Sequence, residues 1–342
     1  MLKKMKIHKL IVMFFGIAVA LILCEIIMRA YNFSKASSST LILRYEKEFL
    51  YEHKPSITFT NKYGIKVRHN SLGFIGKEIG DKKENTFRVL AIGDSITSAT
   101  YLPEEERYIN RLGQILRGHA AGPVEIINGG VGGYNTWQEL GALKEKGLGL
   151  KPNLVIVGIC LNDYVYKGPK LKKSWLNRIT EELRDGSKAR YFDFIYQHSD
   201  LYKFFYDIFS GRLRGRLTEK DYLGYLKEYE LNIKEADLDK WKEPFAQMML
   251  LVKERGTKIL FVIFPMEPDV VKKKDVSCAG LSNFFKERGA YYLDLATDFR
   301  RHAAQGEALF MRRDLIHPTA LGHKIAAEAI ADYIIRNKIL GF

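Results

Sequence analysis

Apolar positions fall into three patterns along this chain, and each predicts a different element. The first is one unbroken apolar run over residues 10–24. The second is a series of short apolar runs at 87–92, 124–127, 154–160, 258–264 and 290–294. Runs of that length, several bounded by Gly, Asn or Asp, read as buried strands. The third is apolar spacing of helical period at 241–255, at 281–288 and from Thr319 through Ile330. Strands alternating with such helices predict an α/β fold built on a parallel sheet.

The first run predicts a membrane anchor over residues 1–30. As a helix, residues 10–24 span about 22 Å, short of the roughly 30 Å hydrocarbon core of a bilayer. Adding Ile26, Ile27 and Met28 extends the run to about 28 Å, with Glu25 and Arg29 at its end. A cleaved signal peptide is the competing reading. Ala18-Val19-Ala20 has the small-x-small form, but apolar residues continue directly after it. Leu23 is too bulky for lipoprotein processing at Cys24. Lys3, Lys4, Lys6 and Lys9 favour a cytoplasmic N-terminus, with the remainder exported to the periplasmic or extracellular side. Arg29, Lys35, Arg44 and Lys47 on the far side weaken that charge asymmetry.

Candidate chemistry appears where the strand-like runs end. Residues 87–92 lead into Gly93-Asp94-Ser95-Ile96-Thr97. This composition suits a tight turn that caps a following helix. A serine there exposes its hydroxyl and presents its own backbone N–H. Far along the chain stands Asp314-Leu315-Ile316-His317-Pro318, and Pro318 suits a first helical turn. A serine hydroxyl needs a base to remove its proton, and an imidazole works best when a carboxylate fixes its tautomer. Ser95, His317 and Asp314 supply those three groups. Two more strand ends carry Asn128-Gly129-Gly130-Val131-Gly132-Gly133 and Leu161-Asn162-Asp163. In an open parallel sheet, ligands sit outside the carboxyl ends of the strands, so these segments should meet. A glycine N–H and the Asn162 amide are suited to holding an oxyanion.

Taken together, these four segments resemble the SGNH hydrolases, also called GDSL-type esterases and lipases. Residues 93–97 match the first block, with Ser95 as nucleophile, and 128–135 the second. Asn162-Asp163 matches the third block, and Asp314-x-x-His317 the last. The resemblance implies a three-layer α/β/α sandwich with a parallel sheet (SGNH or flavodoxin-like) and an oxyanion hole formed by Ser95, Gly133 and Asn162. Gly130 is the alternative to Gly133 in a loop of four glycines. The resemblance also implies that Asp94 and Asp163 brace their turns, and that no cofactor and no metal is needed. The segment 69–76 resembles an Asn-x-x-Gly-Phe-Arg-Gly stretch of membrane-anchored bacterial members, with Ile75 in place of the Arg. Thr97 stands where an α/β-hydrolase elbow needs Gly, and the glycine loop lacks the Gly-Lys-Ser/Thr ending of a phosphate loop. His323 reads as a surface residue of the last helix, and Cys160 as a small core residue.

The remaining sequence divides the chain. Residues 31–86 read as a juxtamembrane linker and lead-in segment, serine-rich at 34–40, with 87–342 as the hydrolase domain. Residues from about 165 to 240 form an aromatic-rich helical insertion, expected as a cap over the active-site face. The net charge is +14, ten units of it outside residues 1–30. That excess suits anionic membrane surfaces or acidic polysaccharides, and no nucleic-acid-binding motif accompanies it. The expected activity is hydrolysis of acyl esters, O-acetyl above all, on a small molecule, lipid or glycan. O-acyl transfer to a cell-surface polysaccharide is the alternative. A non-catalytic glycan-binding or assembly protein is the alternative from another class.

Overall fold

The computed structural model describes residues 2–32, 43–46, 50–61, 63–160, 199, 201, 235–271, 279–312, 314 and 316–340. The chain divides into two compact units, Met1–Ile42 with Lys170–Tyr225, and Leu43–Pro169 with Leu226–Phe342.

The first unit contains one long helix, α1 (Leu2–Asn32). Its stretch Val12–Arg29 has a mean hydropathy of 2.3 and is long and apolar enough to cross a membrane. Phe14, Phe15, Ile22 and Ile27 on it are exposed. At its end the Glu25 carboxylate is not bare: it accepts hydrogen bonds from Arg29 Nε at 2.9 Å, Ser199 Oγ at 2.8 Å and Leu201 N–H at 3.0 Å.

The second unit opens with two antiparallel hairpins, β1 (Leu43–Glu46) with β2 (Leu50–His53), and β3 (Ile57–Thr60) with β4 (Lys66–His69). Then follow β5 (Phe87–Gly93), the one-turn α2 (Ser95–Ser98), α3 (Tyr108–Arg117), β6 (Val124–Asn128), α4 (Thr136–Ala142) and β7 (Leu154–Ile159). The remainder comprises α5 (Glu235–Glu254), β8 (Lys258–Ile263), α6 (Glu267–Val271), α7 (Ala279–Glu287), β9 (Tyr291–Asp294), α8 (Ala296–Ala303) and α9 (Ala320–Arg336).

The five strands β6-β5-β7-β8-β9 form one parallel sheet in that order. Its central strands β5 and β7 are buried along their whole length, which explains their continuous apolar runs. One face packs Val89, Ala91, Ile156 and Leu260 against α3 and α9 through Leu112, Leu116, Ile330 and Ile334. The other packs Leu90, Ile92, Val157 and Phe261 against Phe245, Met248 and Phe285. The result is the three-layer α/β/α sandwich expected from the sequence. The chain reverses its direction of progress across the sheet at β5, which places a ligand-binding crevice at that strand's carboxyl end. Ser95 sits there.

The lead-in strands were not separable in the sequence, because each holds only four residues. Ile75 proves to be a packing residue. It is buried, and its N–H donates to the Asn128 carbonyl at 3.0 Å, extending the edge of the sheet. The serine-rich stretch 34–40 and nearly all of the 165–240 insertion lie outside the described residues, as do Asn162 and Asp163.

Candidate active site

Ser95 is held by the end of β5 and the single turn of α2. Asp94 caps that turn, its Oδ1 accepting the Ile96 N–H at 2.8 Å. Gly93 is required by packing: a Cβ there would lie 2.2 Å from Thr97 Oγ1. Thr97 is in turn wedged against Gly158 of β7, and its hydroxyl meets the Tyr108 hydroxyl at 3.1 Å. The five-residue block is therefore one interlocked turn, in which each conspicuous residue type has a steric or hydrogen-bonding reason. A helix of one turn carries little macrodipole. What it offers at Ser95 is the N–H itself, which has no partner among the described residues.

The loop before α9 delivers the other two groups. His317 Nε2 lies 2.8 Å from Ser95 Oγ, and His317 Nδ1 lies 2.6 Å from Asp314 Oδ2. With Nδ1–H donating to the carboxylate, Nε2 is the acceptor for the serine proton. Asp314 is itself fixed, since its Oδ1 accepts the Ile316 and His317 N–H groups, both at 3.0 Å. Burial alone would raise the Asp314 pKa. The hydrogen bonds and charge of His317, with the two N–H groups, outweigh it and hold the carboxyl below its usual range. Ser95 and the Asp314–His317 pair, over two hundred positions apart in sequence, thus form a continuous Ser–His–Asp chain. It remains open: the His317 and Asp314 side chains keep 27% and 37% of their surface exposed.

The glycine loop is stitched to the serine turn. Asn128 Nδ2 donates to the Thr97 carbonyl at 3.0 Å, while its Oδ1 accepts the Gly130 N–H at 3.0 Å. Gly130 lies so close to α2 that a Cβ would stand 2.3 Å from the Ser98 nitrogen. Its N–H is thereby spent, and Gly130 serves as a spacer. The Gly129 and Val131 N–H groups are also spent, on the Ala91 and Gly93 carbonyls at 2.8 and 3.0 Å. Those of Gly132 and Gly133 have no partner among the described residues. A Cβ on Gly132 would approach Ser95 Cβ to 4.0 Å, and Gly133 holds a positive φ of 80°.

Three features escape a reading of the sequence. His323 is wholly buried and not a surface residue. Its Nδ1 accepts the Tyr108 N–H at 3.1 Å, so its proton resides on Nε2 and reaches the Tyr101 hydroxyl at 2.8 Å. The Tyr101 ring then packs edge-on to His317, with centroids 5.1 Å apart. Cys160 is a core residue as expected, but its thiol also donates to Asp94 Oδ2 at 3.3 Å behind the nucleophile turn. Tyr51 from the lead-in segment reaches the glycine loop, its hydroxyl donating to the Gly132 carbonyl at 3.1 Å. Helical spacing marked position 323 as part of α9 but gave no indication of its face, and nothing in the sequence linked position 51 to position 132.

Residues 91–220 match the model of the GDSL-like lipase/acylhydrolase family. No curated protein matches the chain. Among solved structures, a protein described as lipolytic and of the G-D-S-L family, from Desulfitobacterium hafniense, is 16% identical with a TM-score of 0.44. That alignment covers 72% of this chain and 99% of the other. An acetylxylan esterase from Geobacillus stearothermophilus is also 16% identical, with a TM-score of 0.43, over 78% of this chain and 97% of its own. An α/β hydrolase from the metagenome of Lake Arreo is 15% identical at a TM-score of 0.43, covering 72% of this chain and 94% of its own. With its parallel sheet and its Gly-Asp-Ser turn at the end of β5, the chain carries, over residues 91–220, a segment that matches the GDSL-like lipase/acylhydrolase family.

Proposed function

We propose that Ser95, His317 and Asp314 catalyse ester cleavage through an acyl-enzyme, and that the esters are acyl groups, O-acetyl above all, outside the cytoplasm. The observation that carries this reading is the unbroken chain of short contacts, 2.8 Å from Ser95 to His317 and 2.6 Å from His317 to Asp314. Ser95 Oγ attacks the carbonyl carbon as His317 Nε2 takes its proton. Asp314 stabilises the imidazolium and keeps the ring in register. His317 then returns the proton to the departing alcohol, leaving the acyl group on Ser95. The Ser95 and Gly133 N–H groups hold the oxyanion, with the Asn162 amide as a third donor by family resemblance. Each such donor contributes about 2.7–4 kcal/mol.

The second half-reaction needs only a hydroxyl activated by His317, so water gives hydrolysis and a sugar hydroxyl gives transfer. The net charge of +14 suits an acidic glycan or an anionic membrane surface close to the substrate. The full chain in detergent should hydrolyse p-nitrophenyl acetate, and a fluorophosphonate probe should label Ser95. Ser95→Ala should abolish both, and retained turnover in that variant rejects the mechanism. Adding glycan oligosaccharides to the assay decides the acceptor: acetylated sugar identifies a transferase, and free acetate alone identifies a hydrolase.

A further inference from the structure

The lead-in strand β2 is held at each of three successive residues, the first of which reaches the glycine loop. Tyr51 donates its hydroxyl to the Gly132 carbonyl at 3.1 Å, and its own carbonyl accepts the Tyr134 hydroxyl. Its ring packs edge-on against that of Tyr134, with centroids 5.3 Å apart. Glu52, buried, pairs with Lys146, whose Nζ also donates to the Leu72 carbonyl at 3.2 Å. His53 stacks on His69 of β4, with ring centroids 4.2 Å apart. A strand held at three consecutive side chains has no freedom to slide, so the Tyr51 hydroxyl is a fixed point.

That fixed point acts on one peptide unit. The Gly132 carbonyl and the Gly133 N–H belong to the same planar trans amide, so they point in opposite directions. Anchoring the carbonyl on Tyr51 therefore sets the direction of the Gly133 N–H. Without an anchor the amide would be unusually free to turn. It lies between two glycines, and Gly133 sits at a positive φ of 80°, where the absence of a Cβ leaves several backbone states open. The Tyr51 hydroxyl is also beside Gly133, within 3.0 Å of where its Cβ would stand. Other N–H groups of the loop, those of Gly129, Gly130 and Val131, are pinned by Ala91, Asn128 and Gly93. The Gly132–Gly133 amide is the unit that needs an outside constraint, and Tyr51 supplies it.

We propose that Tyr51 is a positioning residue for the oxyanion donor, orienting the Gly133 N–H by holding the Gly132 carbonyl. The proposal rests on the assignment of Gly133 to the oxyanion hole. It predicts an effect on the transition state and little on the ground state, because a misdirected donor is missed only when negative charge develops. It also means that the machinery extends beyond the block at 128–135, to a segment some forty residues before the nucleophile.

The test is Tyr51→Phe in the full-length chain, which removes one hydroxyl and keeps the ring contact with Tyr134. Expected is a fall in kcat of about tenfold or more toward p-nitrophenyl acetate, with KM within twofold and an unchanged Tm. Binding of an alkyl boronic acid, whose tetrahedral adduct on Ser95 places an oxygen in the same hole, should weaken by a similar factor. A kcat within twofold of the parent overturns the proposal, as does a lower kcat with unchanged boronate affinity. Ser95→Ala, run beside it, separates the two claims: if that variant still turns over ester, the mechanism fails and not merely the role of Tyr51.

Discussion

At the scale of single residues, His317 is the hinge of the proposed chemistry, and its neighbours divide its two nitrogens between them. Asp314 accepts a hydrogen bond from the Nδ1–H, and Ser95 donates its own to Nε2. Asp314→Asn would keep the fold but allow the opposite tautomer, so kcat should fall by about 10⁴ with little change in Tm. Steady-state kinetics beside a thermal melt check this, and an Asn variant with near-parental kcat rejects the orienting role. Behind His317, Tyr101 bridges to buried His323. The meeting of Ser95, His317 and Asp314 could be expected from the sequence because residue types suited to a nucleophile, a base and an acid stand in recognisable turns, and the structure brings the three side chains together. Tyr51, Tyr101 and His323 were not legible. Their roles depend on contacts across 81, 222 and 215 positions, which no local pattern records.

At the scale of elements, the glycine loop and the nucleophile turn behave as one unit, because Asn128 bonds both and Gly130 fits against Ser98. Gly130→Ala would place a methyl 2.3 Å from a backbone nitrogen, which no side-chain movement relieves. Overpacking of this kind costs about 1–3 kcal/mol, and activity should fall with it because the displaced atoms flank Ser95. Urea unfolding gives the first quantity and esterase assay the second. A fully stable, fully active Ala variant contradicts the packing described. The strands and α7 were legible from periodicity to within two residues, 258–264 against β8 at Lys258–Ile263 and 281–288 against Ala279–Glu287, while α5 begins six residues before the expected 241 and α9 ends six after the expected 330. The hairpins of the lead-in segment and the helices α3 and α8 were not read from the sequence.

Buried histidines connect elements to the pH at which they separate. Burial, with the neighbouring His69, lowers His53 to about 3. Burial lowers His69 to about 4, although its ring Nδ1 donates to the Lys54 carbonyl. Burial, with the charges of His317, Arg107 and Arg111, lowers His323 to about 3. Each therefore binds a proton less readily folded than unfolded. Their cost is absent above about pH 6.5, where both states are neutral, and grows as the pH falls toward 3–4. With all three acting, stability should drop by up to about 4 kcal/mol per pH unit near pH 5. Asp314 adds to the loss only lower down: its folded carboxyl titrates below the unfolded one, so its contribution holds above about pH 4 and vanishes beneath. Tm should thus fall steeply from pH 6.5 downward, and His53→Phe, which keeps the stack on His69, should flatten the slope. A Tm constant between pH 6.5 and 4.5 contradicts the neutral buried state of these rings.

At the scale of the whole molecule, the location of the chemistry depends on α1. The helix holds 31 residues, about 46 Å at 1.5 Å per residue, which exceeds the roughly 30 Å hydrocarbon core. Its lysines at 3, 4, 6 and 9 precede the apolar stretch Val12–Arg29. That arrangement favours an N-terminus in the cytoplasm and an active site on the far side. A cysteine placed at Ser37, just past the helix, reports the side directly. In intact cells, or in spheroplasts where an outer membrane intervenes, Ser37→Cys should react with a membrane-impermeant maleimide above the level shown by the unsubstituted parent. Labelling only after lysis puts Ser95 in the cytoplasm and removes surface glycans from the substrates. The same cells show whether the helix is retained: an anchored chain stays with the membrane through alkaline carbonate at its full mass of 39.4 kDa, whereas signal cleavage after Ala20 releases a shorter soluble one. Anchored and facing outward, a chain of net charge +14 would work within a Debye length of anionic headgroups, about 8 Å at physiological salt. Its turnover of a vesicle-borne ester should then fall as salt is raised, while that of soluble p-nitrophenyl acetate should not. Equal salt responses for the two would show that the charge does not bring enzyme and surface together.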